Sequence, residues 1–345
     1  GPHDLELLEN IASQAGKRGA FPMLLMGSDR LTRRMFDDVP AQYDTRAPAW
    51  DMKLAENATA WITVDYNENP GLIAHVSPDR VFARSKAAQP VTDLMLKRGV
   101  RQVNLGNGLY PTAARARQLG LTQDQLARIF WDGINVDYAQ LQAAGDAMKR
   151  IFEGGREVHI TNSNGTDLRM RIETRPGFVS AGPISPVHEG RCGAACQVWL
   201  PAGEVYLTPV PGTAQGTVVM DRHFYQDKEI LGLKLTFKDG KLTTMSAKSG
   251  IEPLRAMYDV AGPGRDEFAL IDIGINPNVA APTGGKLLTW VPAGMLSVGF
   301  GSNEWAGGAN NASFSLIGFV PGSTVTVDGK AVVEQGALAG ALAAE

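Results

Sequence analysis

Histidine is scarce in this chain: there are five, and the last is His223. Beyond it, the residues able to move protons or hold cations are mostly carboxylates. Glu204 stands in LPAGEVYLTPV (200–210), Glu267 in GRDEFALIDIGINPN (264–278) and Glu304 in SVGFGSNEWAGGANNASFSL (297–316). The same stretches carry Ser297, Ser315 and Asn303, and the aromatics Tyr206 and Trp305 follow two of the glutamates closely. A serine needs an adjacent base to attack a substrate, and no GxSxG or SxxK pattern marks Ser297 or Ser315. A separate run, HEGRCGAAC (188–196), spaces His188, Cys192 and Cys196 by fours. On a helix that spacing makes a metal corner or a Cys–His nucleophile pair. The flanking glycines and prolines favour a loop, which leaves Cys192 with His188 as the alternative nucleophile.

The elements that position these residues divide into two kinds. LELLENIASQAG (5–16) has helical spacing, and FPMLLMGS (21–28) reads as a buried strand. TAWITVDYNENP (59–70) and VRQVNLGNG (100–108) read as strands ending in turns, and helical stretches fill 112–155. Strands alternating with helices imply a parallel sheet with covered faces, giving an α/β domain over residues 1–153. After Gly154-Gly155 the chain turns to short alternating β runs, among them EVHITNSN, CQVWLP, EVYLTPV, GTVVMDRHF and LKLTFKDGKL. Asn164-Gly165, Asp239-Gly240 and Asp328-Gly329 fit hairpin turns, and IEPLRAMYDVA (251–261) reads as a helix. Residues 154–345 are thus expected to form a β-rich α+β domain that carries the chemistry.

At 345 residues the chain is long enough for two cored domains. The net charge of −3 gives no electrostatic footprint for nucleic acid or an anionic membrane. No apolar run reaches the roughly 18–20 residues of a membrane span. Two cysteines are too few for a disulfide framework and suit a reducing compartment, so a cytoplasmic protein is expected. The opening GPHDLELLENIA fits either a chain entered just after a first strand or a protease scar.

The chain resembles the aminopeptidase T (thermophilic leucyl aminopeptidase) family, which includes 2,5-dihydroxypyridine dioxygenase-like relatives. The resemblance runs through SPDRVFARSKAA (77–88), YPTAARARQLG (110–120), NGTDL (164–168), LPAGEV (200–205), FKDGKL (237–242), GGAN (307–310) and VDGK (327–330). It implies an α/β N-terminal domain with a parallel sheet plus a β-rich C-terminal domain, and a homodimer around an internal cavity that admits small molecules or short peptides. It places Glu204 at the family's first metal-binding glutamate and Glu267 at the second. The family's strand-opening His falls on Ser297, its terminal His-x-Asp on Ser315-Leu316-Ile317, and a family Tyr at or beside Glu304. No His or Asp occurs from Ser297 to Val320, so the imidazole ligands are missing and the metal site is expected to be degenerate.

Within that resemblance, Glu204, Glu267 and Glu304 are expected to converge where the family holds its metals. Three carboxylates in a partly dry pocket cannot all stay ionised without a cation, so one becomes a general acid beside a general base. Ser297, Ser315, Asn303, Tyr206, Trp305 and His188 are expected to bind substrate. The reading is a metal-independent hydrolase, without a cofactor, cleaving an amide or related bond in a small, cyclic or aromatic molecule. Oxygen-only binding of a divalent cation, a metal-dependent aminopeptidase with rebuilt ligands, and a silent binding protein are the alternatives. An Fe(II) dioxygenase is disfavoured because its site wants two histidines and a carboxylate on one face.

Overall fold

The computed structural model describes residues 4–65, 69, 71–184, 193–280, 282 and 287–342. The first half supplies helices α1 (Leu5–Gly16), α2 (Asp29–Asp37), α3 (Ala49–Asn57), α4 (Pro78–Arg98), α5 (Ala113–Leu119), α6 (Gln123–Ile134) and α7 (Tyr138–Gly154). Strands β1 (Ala60–Val64) and β2 (Arg101–Leu105) lie among them. Local chemistry sets several of the helix starts. Thr122 and Gln125 close a reciprocal capping box on α6, and the Asp137 carboxylate accepts from the N–H groups of Ala139 and Gln140 to open α7.

The second half is built from β3 (Glu157–Asn162), β4 (Thr166–Arg171), β5 (Gly177–Ser180), β6 (Gln197–Leu200), β7 (Glu204–Leu207), β8 (Gln215–Tyr225), β9 (Lys228–Lys238), β10 (Lys241–Ser246), helix α8 (Glu252–Val260), β11 (Phe268–Gly274), β12 (Leu296–Gly301), β13 (Ser315–Phe319), β14 (Thr324–Val327), β15 (Lys330–Glu334) and β16 (Ala337–Leu338). The three expected hairpins form. In two of them, Asp239-Gly240 and Asp328-Gly329, both residues adopt positive φ, as the type I′ turn between twisted strands requires. A fourth hairpin joins β8 to β9 through Gln226-Asp227, also both at positive φ, without a glycine to announce it.

Three sheets result. An eight-stranded antiparallel sheet runs β10-β9-β8-β4-β3-β14-β15-β16, a five-stranded antiparallel sheet runs β13-β12-β11-β7-β5, and a three-stranded parallel sheet runs β1-β2-β6. The two larger sheets share a core. Val158, Ile160, Leu168, Met220, Leu235 and Phe237 of one meet Val205, Leu207, Ile271, Ile273, Val298 and Phe300 of the other. Full burial of one such side chain stabilises by roughly 1.5–3 kcal/mol. α7 closes one edge of this core with Leu141, Met148 and Phe152. A smaller core forms where α5 and α6 pack on the parallel sheet through Ala116, Leu126 and Phe130 against Val64 and Leu105.

Two expectations need correction. CQVWLP, grouped with the β-rich half on sequence, pairs in parallel with β2 instead, with Val198 opposite Val103. The parallel sheet thus takes its third strand from beyond Gly154. FPMLLMGS forms no strand: residues 21–28 are irregular, with Phe21, Met23, Leu24, Leu25 and Met26 exposed. A strand needs neighbouring ladder groups as well as apolar side chains, and this segment pairs with none of the strands described above.

Candidate active site

The site follows from strand alternation. Successive side chains of a strand point to opposite faces, so with Val205 and Leu207 in the shared core, Glu204 and Tyr206 project from the other face. On β11, Ile271 and Ile273 enter the core while Leu270 and Asp272 project with Glu204. The register sets Asp272 directly between Tyr206 on β7 and Ser297 on β12, and sets Gly274 opposite Glu204. Glu204 and Asp272 are therefore diagonal cross-strand neighbours on one face, within mutual reach. Both are buried.

The surroundings of Glu204 are specific. Asn107 follows β2 in the GNG turn at a left-handed φ of 46°, and its amide donates to Glu204 Oε1 at 2.8 Å and to the Pro201 carbonyl at 3.0 Å. Ser180 lies across from Glu204 on β5. On the other side, the Trp290 and Pro292 carbonyls sit so close over Gly274 that an added Cβ would meet them at 2.4 and 2.3 Å. A glycine there lets the 290–292 backbone lie against the sheet beside Glu204.

Electrostatically this is a pair of acids in a dry setting. Burial pushes the Glu204 carboxyl up to about 8, against the opposing effect of the Asn107 hydrogen bond. Burial, followed by the charge of Glu204, holds Asp272 well above the usual carboxylate range, although the Ile273 N–H favours its anion. Among the described residues neither acid makes a salt bridge, and Asp272 Oδ1 and Ser297 Oγ are buried without a hydrogen-bond partner. Beside them, the Tyr206 hydroxyl donates to the Ala194 carbonyl at 3.1 Å. Its ring lies 5.5–5.8 Å from those of Phe178, Trp199 and Trp305. Burial, and then the two acids, raise the Tyr206 hydroxyl well above its ordinary value, so it stays protonated.

The sequence-predicted residues are only partly brought together. Glu204, Tyr206 and Ser297 share the face, with Trp305 against Tyr206. Glu267 does not meet Glu204. It precedes β11, where its backbone forms an isolated antiparallel β-bridge with Lys241, and it lies seven residues from Gly274, or roughly 23 Å at the strand rise. Glu304 begins a short 3₁₀ turn (Glu304–Ala306); its carboxyl is raised by burial and then by Asp93 on α4, with no contribution from Glu204 or Asp272. Ser315 is exposed opposite Gly301, at the far end of its strand from Phe319, the cross-strand neighbour of Ser297. Asn303 is committed to backbone, donating to the Ala269 carbonyl at 3.1 Å and accepting from the Asn310 N–H at 2.9 Å. His188 and Cys192 lie outside the described residues, and Cys196 is buried. The expected carboxylate trio is thus replaced by a pair, Glu204 with Asp272.

Asp272 and Asn107 were not singled out from sequence. The signal for Asp272 is FALIDIG (268–274), an acid inside an otherwise apolar strand that is buried along its whole length. A lone carboxylate there needs a reason.

An α/β layer with a parallel sheet, joined to a β-sandwich, is the architecture that comparison recovers. AmpT from Thermus thermophilus superposes with a TM-score of 0.71 at 18% identity, over 98% of this chain and 92% of that one. A 2,5-dihydroxypyridine dioxygenase from Pseudomonas putida superposes with a TM-score of 0.50 at 14% identity, over 91% of this chain and 98% of that one. "Aminopeptidase 2" of Geobacillus stearothermophilus is 24% identical over 291 residues, covering 77% of this chain and 68% of its own length. The model of the thermophilic metalloprotease (M29) family matches residues 2–273. The chain belongs to the M29 family of thermophilic metalloproteases, and its fold is that of aminopeptidase T.

The family's description names a metal, and the residues here fit that centre poorly. No cluster of three or more His, Cys, Asp or Glu side chains able to hold a metal occurs among the described residues. Zinc-type peptidase centres are built on imidazole or thiolate with carboxylate; here two carboxyls stand beside a serine hydroxyl. His223, the last histidine, is buried on β8 in the other sheet. No helix among the described residues is long and apolar enough to cross a membrane.

Proposed function

We propose that this protein is a hydrolase that cleaves an amide or related bond in a small, cyclic or aromatic molecule or short peptide, using Glu204 and Asp272 as an acid–base pair. Membership of a peptidase family supports hydrolysis of a C–N bond. The observation that carries the chemistry is the diagonal placement of two buried carboxyls on one sheet face, without a basic partner among the described residues. Two such groups resist holding two charges, so the active form carries one proton between them.

In that form the carboxylate takes a proton from water as its oxygen attacks the carbonyl carbon. The carboxylic acid then protonates the departing nitrogen as the C–N bond breaks. The Asn107 amide fixes the Glu204 carboxyl, and Ser297 Oγ is free to bond the substrate. The same reading takes the protein as a cytoplasmic homodimer.

The test is turnover of a panel of dipeptides, small amides and ring lactams by metal-free protein. Glu204→Gln and Asp272→Asn should each lower kcat by roughly 10²-fold or more with the fold intact. Full activity in both variants would overturn the reading. The unpartnered Asp272 Oδ1 and Ser297 Oγ favour a second reading, a hard divalent cation on oxygen donors. Elemental analysis of protein purified without chelator separates the two: about one equivalent of cation, with activity restored only by its return, supports the second.

A further inference from the structure

The parallel sheet has two faces of opposite character. Ile62, Val64, Val103, Leu105, Val198 and Leu200 point one way, and Val64, Leu105 and Leu200 join the core under α5 and α6. The other face presents Trp61 and Thr63 from β1, Gln102 and Asn104 from β2, and Gln197 and Trp199 from β6. The register aligns them in two rows, Trp61–Gln102–Gln197 and Thr63–Asn104–Trp199. Parallel sheets are ordinarily covered on both faces by aliphatic side chains. This face is instead amide-rich and aromatic, and it lines a cavity of about 190 Å³.

Three properties of the cavity define what it suits. Every lining residue is uncharged, so an anion or cation would sit there without a counter-charge, which is unfavourable. Gln102 Nε2, on the central strand, is buried without a hydrogen-bond partner; a sheltered donor of this kind is stabilised by an acceptor supplied from outside. Two indoles stand on the outer strands, giving a flat apolar ring somewhere to lie. In volume the cavity compares with the roughly 150 Å³ engineered void that takes up benzene, so it admits one six-membered ring with its exocyclic atoms.

From these observations we propose that the Trp61–Trp199 face is a binding site for a neutral, planar ring bearing a carbonyl, with Gln102 Nε2 donating to that oxygen. Gln197 is held by donating to the Trp305 carbonyl at 2.8 Å, and Asn104 by accepting from the Asn107 N–H at 3.1 Å. The polar frame is therefore set before a ligand arrives. The cavity shares Trp199 with the aromatic group around Tyr206 but is lined by neither Glu204 nor Asp272, so the proposal does not rest on the hydrolytic reading.

Calorimetric titration of the full chain with uracil as the carbonyl-bearing ring tests it, with benzoate and cyclohexanol as charged and carbonyl-free controls. Expected is saturable one-to-one binding of uracil at millimolar affinity or better, weaker binding of both controls, and at least about tenfold loss in Gln102→Leu. Trp61→Leu should weaken binding independently, and Glu204→Gln should leave it unchanged. Far-ultraviolet dichroism confirms that each variant is folded, and Trp61→Leu decides if Gln102→Leu is not. Absence of saturable heat up to about 10 mM uracil, tighter binding of benzoate, or undiminished affinity in folded Gln102→Leu and Trp61→Leu each overturns the proposal.

Discussion

Replacing Glu204 with Gln should flatten the protein's stability profile above neutral pH. The glutamine amide keeps a donor and an acceptor where the protonated acid has them, so the Asn107 hydrogen bond survives and only the titration is lost. In the fold, burial raises Glu204 from an ordinary 4.5 to about 8. Its stability contribution is fully present below 4.5 and is lost as pH rises through 8, because over that interval the unfolded chain has released the proton that the folded chain retains. The slope is about 1.4 kcal/mol per pH unit. His223 acts in the opposite sense. Burial lowers it to about 4, so its contribution is present above 6.5 and lost as pH falls toward 4. In the window pH 6.5–8 His223 is therefore silent. Asp272, also raised by burial, acts in the same sense in both proteins, and Glu204 adds a further loss of about 2 kcal/mol in the wild type that the variant lacks. Urea unfolding of metal-free protein, followed by tryptophan fluorescence at half-unit steps, should show the variant gaining that amount on the wild type. Unfolding in weak buffer at pH 6.5 should also release about one proton fewer from the variant. Parallel profiles with equal proton release would refute the buried, protonated Glu204.

Two further outcomes follow from individual positions. His223→Leu removes a neutral ring whose Nε2 has no partner, and should spare the protein about 3 kcal/mol of destabilisation between pH 6.5 and 4, read as a shallower acid limb in thermal melts. Gly274→Ala drives a methyl into the Trp290 and Pro292 carbonyls at 2.4 and 2.3 Å. Because backbone must move, it should cost about 3 kcal/mol or more of stability and lower kcat beyond any effect on KM; an undiminished melting temperature would show that the 290–292 segment does not press on the sheet.

The sequence disclosed what depends on local rules. Asp-Gly pairs marked hairpins because two positive φ angles in succession favour those residues, and the helices over 112–155 were visible as helical stretches. What depends on distant pairing was hidden. FPMLLMGS has strand composition but no pairing partner, and QVWL looks like its β neighbours yet pairs with a strand nearly a hundred residues earlier. In the site, Glu204 stood out through its motif. Glu267 drew attention because the family resemblance places it at the second metal-binding glutamate, whereas register alone shows that Asp272 is the one turned toward Glu204. Asn107 reaches the site from the other layer, a contact without a local signature.

The irregular stretch after α1 bears on how the chain survives in the company of proteases. Residues 21–26 are exposed and carry Phe21, Leu24 and Leu25, side chains that chymotrypsin-like enzymes select, on backbone already free of helix or strand. Cleavage there would sever α1 from the rest of the polypeptide. Yet Leu7 and Leu8 pack on the core under α5 and α6, and the Tyr110 hydroxyl bonds the Asp4 carboxylate. A nicked molecule would therefore run as two pieces on a denaturing gel and as one under native conditions, so an intact-looking preparation is no assurance of an unbroken chain.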